Sequence, residues 1–239
     1  MFNLAISFGV AFVIALLLKW PLDVNLMFGL IIGLAAGIGV FIYLARKLQE
    51  KLEAIFKRAS EQLKRQQWEA AIETMKEGYK FAPWQFLVKG SIDGQIGVIQ
   101  YLRNKHAEAE PLLKSASMNH YIAKTMLAIL QWKRKESGLA KKTFELALKA
   151  GKKESLLYAV YAYVLNEMRE RDAAIEVINK GLKYCKDDDR LLSNRTLLQN
   201  KKPMKMKIYG EQWYQFMLER QIIRQAPPPF ARVSKRALR

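Results

Sequence analysis

The chain has 239 residues, 51% of them hydrophobic, a single cysteine and a formal charge of +18. That length holds a membrane anchor and one soluble domain of ordinary size. The lone Cys185 excludes an internal disulfide and a thiolate metal cluster, and the excess of Lys and Arg restricts charge-driven partners to anions: lipid headgroups, an acidic protein or nucleic acid.

Residues 2–18 and 26–45 contain no Asp, Glu, Lys, Arg or His. An α-helix needs ~20 residues to cross ~30 Å of hydrocarbon, so the second stretch is long enough. The first is short but workable, with Lys19 snorkelling and Trp20 at the interface. A signal peptide is the competing reading of the first stretch. It lacks a charged n-region, ends in Lys-Trp-Pro instead of a small-x-small site, and is followed at once by the second span. Pro21 breaks the short Lys19–Asn25 connection, which makes the spans an antiparallel hairpin. Arg46, Lys47, Lys51, Lys57 and Arg58 crowd the end of the second span, and positive flanks stay on the cytoplasmic side. Gly29, Gly33 and Gly37, spaced by four, leave one helical face bare for close backbone approach. The first span of the same chain is the expected occupant; a second copy or a partner helix is the alternative.

Neither Gly nor Pro falls between Gly39 and Gly78, so the second span is expected to run on as one rod into the soluble domain. Leu48, Leu52, Ile55, Ala59 and Leu63 form its apolar stripe, read as core over a dimeric coiled coil. Four segments then carry a small, a large apolar and a small residue at fixed spacing: Ala71/Met75/Gly78, Ala109/Leu113/Ala116, Ala140/Phe144/Ala147 and Ala174/Ile178/Gly181. Twelve residues before each leading alanine stands another small residue: Ala59, Gly97, Ala128, Ala162. The alanines are spaced 38, 31 and 34 apart. Turns are expected at 65–67, 103–105, 136–138 and 169–171.

This pattern resembles the tetratricopeptide repeat, with its 34-residue period and an A-x3-F motif in the second helix of each pair. The resemblance covers about residues 52–188, with Pro83 at the family's proline position. It departs from the family in the aromatic positions of the first helices and in the length of Ala82–Lys89. The resemblance implies an α-solenoid whose inner groove is lined by the first helix of each pair. The groove-facing positions are then Phe56, Leu63, Val98, Tyr101, Ile129, Trp132, Tyr163 and Asn166, with Lys64 and Lys133 at the edge.

Asp187, Asp188 and Asp189 read as the N-terminus of a capping helix carrying Leu191, Leu192, Leu197 and Leu198. Pro203 breaks the Lys/Met-rich 201–207 segment. Gly210–Arg224, with Trp213, Tyr214 and Phe216, reads as a last amphipathic helix whose aromatics either stay exposed or fill the chain's own groove. From Gln225, the triple proline and Arg232, Lys235, Arg236 and Arg239 read as a basic extended tail.

The expected organisation is all-α: a transmembrane hairpin over 1–45, a repeat domain of about four helix pairs with its cap over 46–200, an aromatic helix over 201–224 and a tail over 225–239. His106 and His120 are too far apart to pair on one helix. No P-loop, dinucleotide fingerprint, nucleophile elbow or zinc spacing is present; no catalytic residue, cofactor or metal is expected. An apolar, aromatic groove with a basic rim suits an amphipathic or acidic peptide. The expectation is a membrane-anchored adaptor or scaffold with a protein or peptide partner. The alternative is a structural subunit, a homo-oligomer among the possibilities, assembled through the glycine face. Arg46, Lys47, Arg232, Lys235, Arg236 and Arg239 are the expected contacts to anionic lipid. Nucleic acid is disfavoured, because it would require base-stacking aromatics along a basic groove. The flanking charge implies a multi-pass protein with both termini and the repeat domain in the cytoplasm; a bacterial cytoplasmic (inner) membrane is what the similarity to membrane-anchored tetratricopeptide proteins of bacteria implies.

Overall fold

The computed structural model describes residues 1–20 and 25–219, and among these it contains helices and no strands. Helix α1 spans Phe2–Lys19 and α2 spans Leu26–Lys64, the latter without interruption for 39 residues. At 1.5 Å per residue α2 is about 58 Å long, enough to cross ~30 Å of hydrocarbon and run on for about five turns. Both α1 and the first half of α2 are long and apolar enough to cross a membrane. Phe8, Phe12, Met27, Phe28 and Ile31 each expose more than three-fifths of their surface. A contiguous apolar surface of this extent suits contact with a membrane or with another protein surface. The connecting residues 21–24, including Pro21, lie outside the described residues.

The two helices pack antiparallel through small residues. A Cβ on Gly29 would meet the Ala15 carbonyl at 3.4 Å, one on Gly33 would strike the Ala11 carbonyl, and one on Gly37 would lie 2.8 Å from the Ser7 carbonyl. The glycine face is therefore covered by α1 of the same chain. The matching face of α1 is Asn3, Ser7, Ala11 and Ala15, also spaced by four. Ser7 donates to the Asn3 carbonyl at 2.7 Å, which satisfies a hydroxyl facing the partner helix.

Beyond Ala45 the chain folds as successive helices: α3 (Trp68–Lys76) continued by a 3-10 turn Glu77–Phe81, α4 (Val88–Leu102), α5 (His106–Ser115), α6 (Tyr121–Lys133), α7 (Ser137–Ala150), α8 (Ser155–Glu167), α9 (Arg171–Tyr184) and α10 (Asp189–Gln199). Each packs chiefly on its sequence neighbours. The small residues Ala59, Gly97, Ala128 and Ala162 and the leading alanines Ala71, Ala109, Ala140 and Ala174 are all buried, as are Met75, Leu113, Phe144 and Ile178. Gly181 shows why a small residue is needed, since a Cβ there would sit 2.7 Å from the ring of fully buried Tyr158. Two apolar clusters result. Leu48, Ala59, Ile72, Met75, Ile92 and Ile96 form one, so the stripe of α2 is core. The other runs from Tyr101 through α5–α10.

Helices α2, α4, α6, α8 and α10 end in the same way. Gln66, Asn104, Lys135, Arg169 and Lys201 each take positive φ, between 57° and 66°. At each end the left-handed residue and its successor donate back to the last turn, as in Lys135 N–H to the Trp132 carbonyl and Glu136 N–H to the Gln131 carbonyl. These are Schellman closures. The third turn is thus at 134–136, and Ser137 and Gly138, expected in the turn, begin α7. The reason is that the closure demands a left-handed residue after Arg134, and Lys135 supplies it without glycine.

Candidate functional site

The residues projected onto the inner groove divide between the two clusters. Phe56 and Leu63 are half-buried against the first, and Lys64 is exposed at the end of α2. Val98, Tyr101, Ile129, Trp132 and Tyr163 come together in the second. Asn166 is half-buried near the end of α8.

That second group is already covered. After α10, the chain passes through Pro203, a 3-10 turn Met206–Tyr209, a four-residue helix α11 (Glu211–Tyr214) and a turn to Glu219. The amphipathic pattern led to expectation of a helix over Gly210–Arg224; the described part is helical for one turn only. Two backbone features limit it. Gly210 has φ 60° and ψ −141°, a region open essentially to glycine, and Met217 is left-handed at φ 51°. We call residues 203–219 the strap. Residues 220–239, with Arg232, Lys235, Arg236 and Arg239, lie outside the described residues.

The strap is pinned at several points. Asn194, fully buried on α10, accepts from Lys205 N–H at 2.7 Å, and the Arg190 guanidinium stacks 4.9 Å from the Tyr209 ring centroid. Trp213 is fully buried, edge-on to Tyr163 at 5.0 Å, and its Nε1 donates to Glu219 at 3.3 Å. Phe216 is buried beside it. The Tyr101 hydroxyl donates to the Phe216 carbonyl at 2.6 Å, and the Lys133 ammonium donates to the Met217 carbonyl at 3.3 Å. Burial pushes the Tyr101 hydroxyl up from its ordinary range and the Tyr163 hydroxyl up to about 12, the latter aided by Glu167 and Glu219. Burial lowers Lys133. Both tyrosines therefore act here as neutral donors or apolar walls at neutral pH.

The other polar residues singled out by sequence have local tasks. His120 caps α6, its Nδ1 accepting from Ala123 N–H at 3.3 Å, and burial lowers its pKa. His106 opens α5 with its ring tilted against Tyr101 at 5.2 Å. Asp188 caps α10 by accepting from Arg190 and Leu191 N–H at 3.0 and 3.1 Å. Burial raises its carboxyl, but bonds from Arg190, Ser155 and the Leu191 amide win and hold it down to about 2. Among the described residues, no three His, Cys, Asp or Glu side chains converge as a metal site would require.

Arg46 and Lys47 are exposed at the end of the uncharged part of α2. Two features of this end had no obvious sequence signal. The N-terminus of α1 is docked on the segment following the 3-10 turn Glu77–Phe81: Phe2 and Asn3 N–H donate to the Pro83 and Trp84 carbonyls at 3.1 and 3.3 Å, and the terminal ammonium also donates to Pro83. Phe2 meets Trp84 edge-on at 5.5 Å.

No protein-family model, curated protein or solved structure matches the chain.

Proposed function

We propose that this chain is a membrane-anchored adaptor or scaffold of the tetratricopeptide type, which binds a protein partner or peptide segment and so assembles or localises a membrane-associated complex. In this reading it is a multi-pass, non-catalytic protein of a bacterial cytoplasmic membrane, with both termini and the repeats on the cytoplasmic side. The observation that carries the reading is α2, a single helix of 39 residues that is apolar at one end and part of the repeat core at the other. A shared helix fixes the array at the bilayer without a flexible tether, which is of use only if the array's position matters. The alternation of helix pairs with Schellman closures and buried small residues supports the tetratricopeptide assignment, and the Arg46 and Lys47 flank supports the orientation.

The strap suggests the kind of partner. It places two aromatic side chains, Trp213 and Phe216, against Tyr101 and Tyr163, and offers main-chain carbonyls to the Tyr101 hydroxyl and the Lys133 ammonium. A partner segment with the same chemistry, aromatic anchors on an irregular backbone, would displace it. Affinity purification of the full-length chain from detergent extracts tests this with two variants. Gly210→Ala puts no side chain within 4 Å of anything but strains the strap backbone by ~1–3 kcal/mol, so it should raise partner yield. Trp132→Ala should lower it. The same partners at the same yield in wild type and both variants would remove the groove from the account.

A further inference from the structure

The spacing between the first two repeat alanines, Ala71 and Ala109, is 38 residues, longer than the family's 34. The extra length lies in the irregular segment between Glu77–Phe81 and α4. Its three large apolar side chains face outward: Trp84 is 40% exposed, Phe86 74% and Leu87 43%. Neither apolar cluster includes these three.

The segment's height relative to the spans is fixed by its bonds. Pro83 and Trp84 accept from the first residues of α1, so they lie at the end of the hairpin where Phe2, itself 54% exposed, begins the lipid-facing surface. On the other side, Phe81 and Trp84 share a pocket with Asn3, Leu44, Lys47, Leu48 and Lys51. Leu44 to Lys51 rises about 10 Å along α2, close to the ~5–8 Å headgroup layer outside the hydrocarbon. Lys51 and Lys80 each lie over the Phe81 ring, at 5.8 and 5.2 Å. Among the described residues, Lys47, Lys51 and Lys80 form no ion pair with a carboxylate.

We propose that residues 81–87 are a third membrane contact, an interfacial foot: Trp84, Phe86 and Leu87 enter the headgroup–acyl boundary of the leaflet on the repeat-domain side, and Lys47, Lys51 and Lys80 meet its anionic phosphates. The occupant is a phospholipid bilayer, because the patch is continuous with the lipid-facing surface of α1 and lies at the depth where aromatics partition and basic side chains find phosphate. The foot fixes the tilt of the array: α2 and the foot are two separate points of attachment, and two points resist rocking where one helix does not. The inference rests on the reading of α1 and α2 as spans.

The experiment uses the full-length chain with Cys185→Ser and one cysteine at a time: Phe86→Cys in the foot, Ile31→Cys in the second span and Met118→Cys on the soluble domain. All three native side chains are mostly exposed, so none is a core substitution. Each is labelled with an environment-sensitive fluorophore and reconstituted into phosphatidylcholine vesicles with and without phosphatidylglycerol, carrying spin-labelled lipid. The expected result is quenching at 31 by mid-chain spin labels, quenching at 86 by spin labels near the headgroup with blue-shifted emission, and neither at 118. Quenching at 86 should deepen with phosphatidylglycerol. If 86 behaves like 118 while 31 is quenched, the foot is overturned and the spans stand. If 31 is unquenched as well, the membrane reading falls and the foot with it. Quenching at 86 that is equal in both lipid mixtures would overturn the role given to the lysines.

Discussion

Trp213→Ala is the sharpest test of how the strap is held. A Trp side chain buries roughly 200 Å², and at ~25 cal/mol per Å² its complete burial contributes about 5 kcal/mol. That is the upper end of the ~3–5 kcal/mol lost when a core Trp becomes Ala. Trp213 is fully buried, and the strap's other anchors are three: Met206, Tyr209 and Phe216. Losing ~3 kcal/mol from a segment held by four side chains raises its opening equilibrium on the order of 10²-fold. Hydrogen exchange of the full-length protein in detergent reads this directly. The amides of Trp213, Phe216 and Met217, which bond to Gly210, Trp213 and Tyr214 carbonyls, should exchange about a hundred times faster, while the buried amides of α8 keep their wild-type rates. Trp213→Phe keeps a ring against Tyr163 and should fall between. Unchanged exchange over 211–217 in Trp213→Ala would refute the idea that this side chain holds the strap. A parallel rise in α8 would refute its being a separable unit.

Gly33→Leu drives a side chain into the Ala11 carbonyl and Ala15; overpacking of ~1–3 kcal/mol or more should separate α1 from α2, seen as a lower melting temperature in detergent with oligomeric state unchanged. Loss of an assembly at unchanged melting would instead make the glycine face intermolecular. Lys135→Gly relieves a left-handed residue at the end of α6 and should stabilise by up to about 1 kcal/mol by denaturant titration; destabilisation would show that the Lys side chain contributes more than the backbone strain costs. Asp188→Ala removes the cap of α10 and should cost ~1 kcal/mol. Because the Asp188 carboxyl sits at about 2 when folded against an ordinary 3.8, its contribution is present above pH ~4 and lost as the pH falls towards 2. The gap between wild type and Asp188→Ala should close over that window, and a pH-independent gap would contradict the assignment.

The two long apolar helices and the close helix crossings were legible because each rests on a local rule: uncharged length for Phe2–Lys19 and the first half of α2, and small residues at the contacts for Ala59, Ala71, Gly97 and their equivalents. The continuity of α2 beyond the apolar stretch was legible too, since neither Gly nor Pro follows Gly39 within it. The turn before α7 was misplaced because Ser-Gly is the commoner punctuation, whereas the chain closes α6 with a left-handed Lys135. The part of the strap from Gly210 on was read as a long helix from its amphipathic spacing, and tertiary contacts overrode that pattern: Asn194, Tyr101 and Lys133 all bond the strap's backbone from elsewhere in the chain. Its aromatics were recognised as one possible filling of the groove, but periodicity says nothing of where a terminal segment docks. The dock of Met1–Asn3 on Pro83 and Trp84 joins residues some 80 apart and left only one trace, the surplus length of the repeat that contains it.

Helix α4 connects the two ends of the molecule that these experiments address. It begins at Val88, immediately after the foot, and Tyr101, its penultimate residue, holds the strap through the Phe216 carbonyl. Fifteen residues give it a length of about 22 Å, and it is buried along most of its course. Its polar contacts fix it on both sides. Asp93 accepts from the Tyr79 hydroxyl at 2.5 Å and from Ser115 at 2.7 Å, tying α4 to the turn that leads into the foot and to α5. Gln100 donates to Glu108 at 2.7 Å. Such a helix does not bend to accommodate a shift at one end, because the packed side chains on either side leave no slack. Under the proposed reading, membrane seating at 81–87 and occupancy at Tyr101 therefore constrain one packed helix, and α4 sets the distance between the bilayer and the segment held at Tyr101.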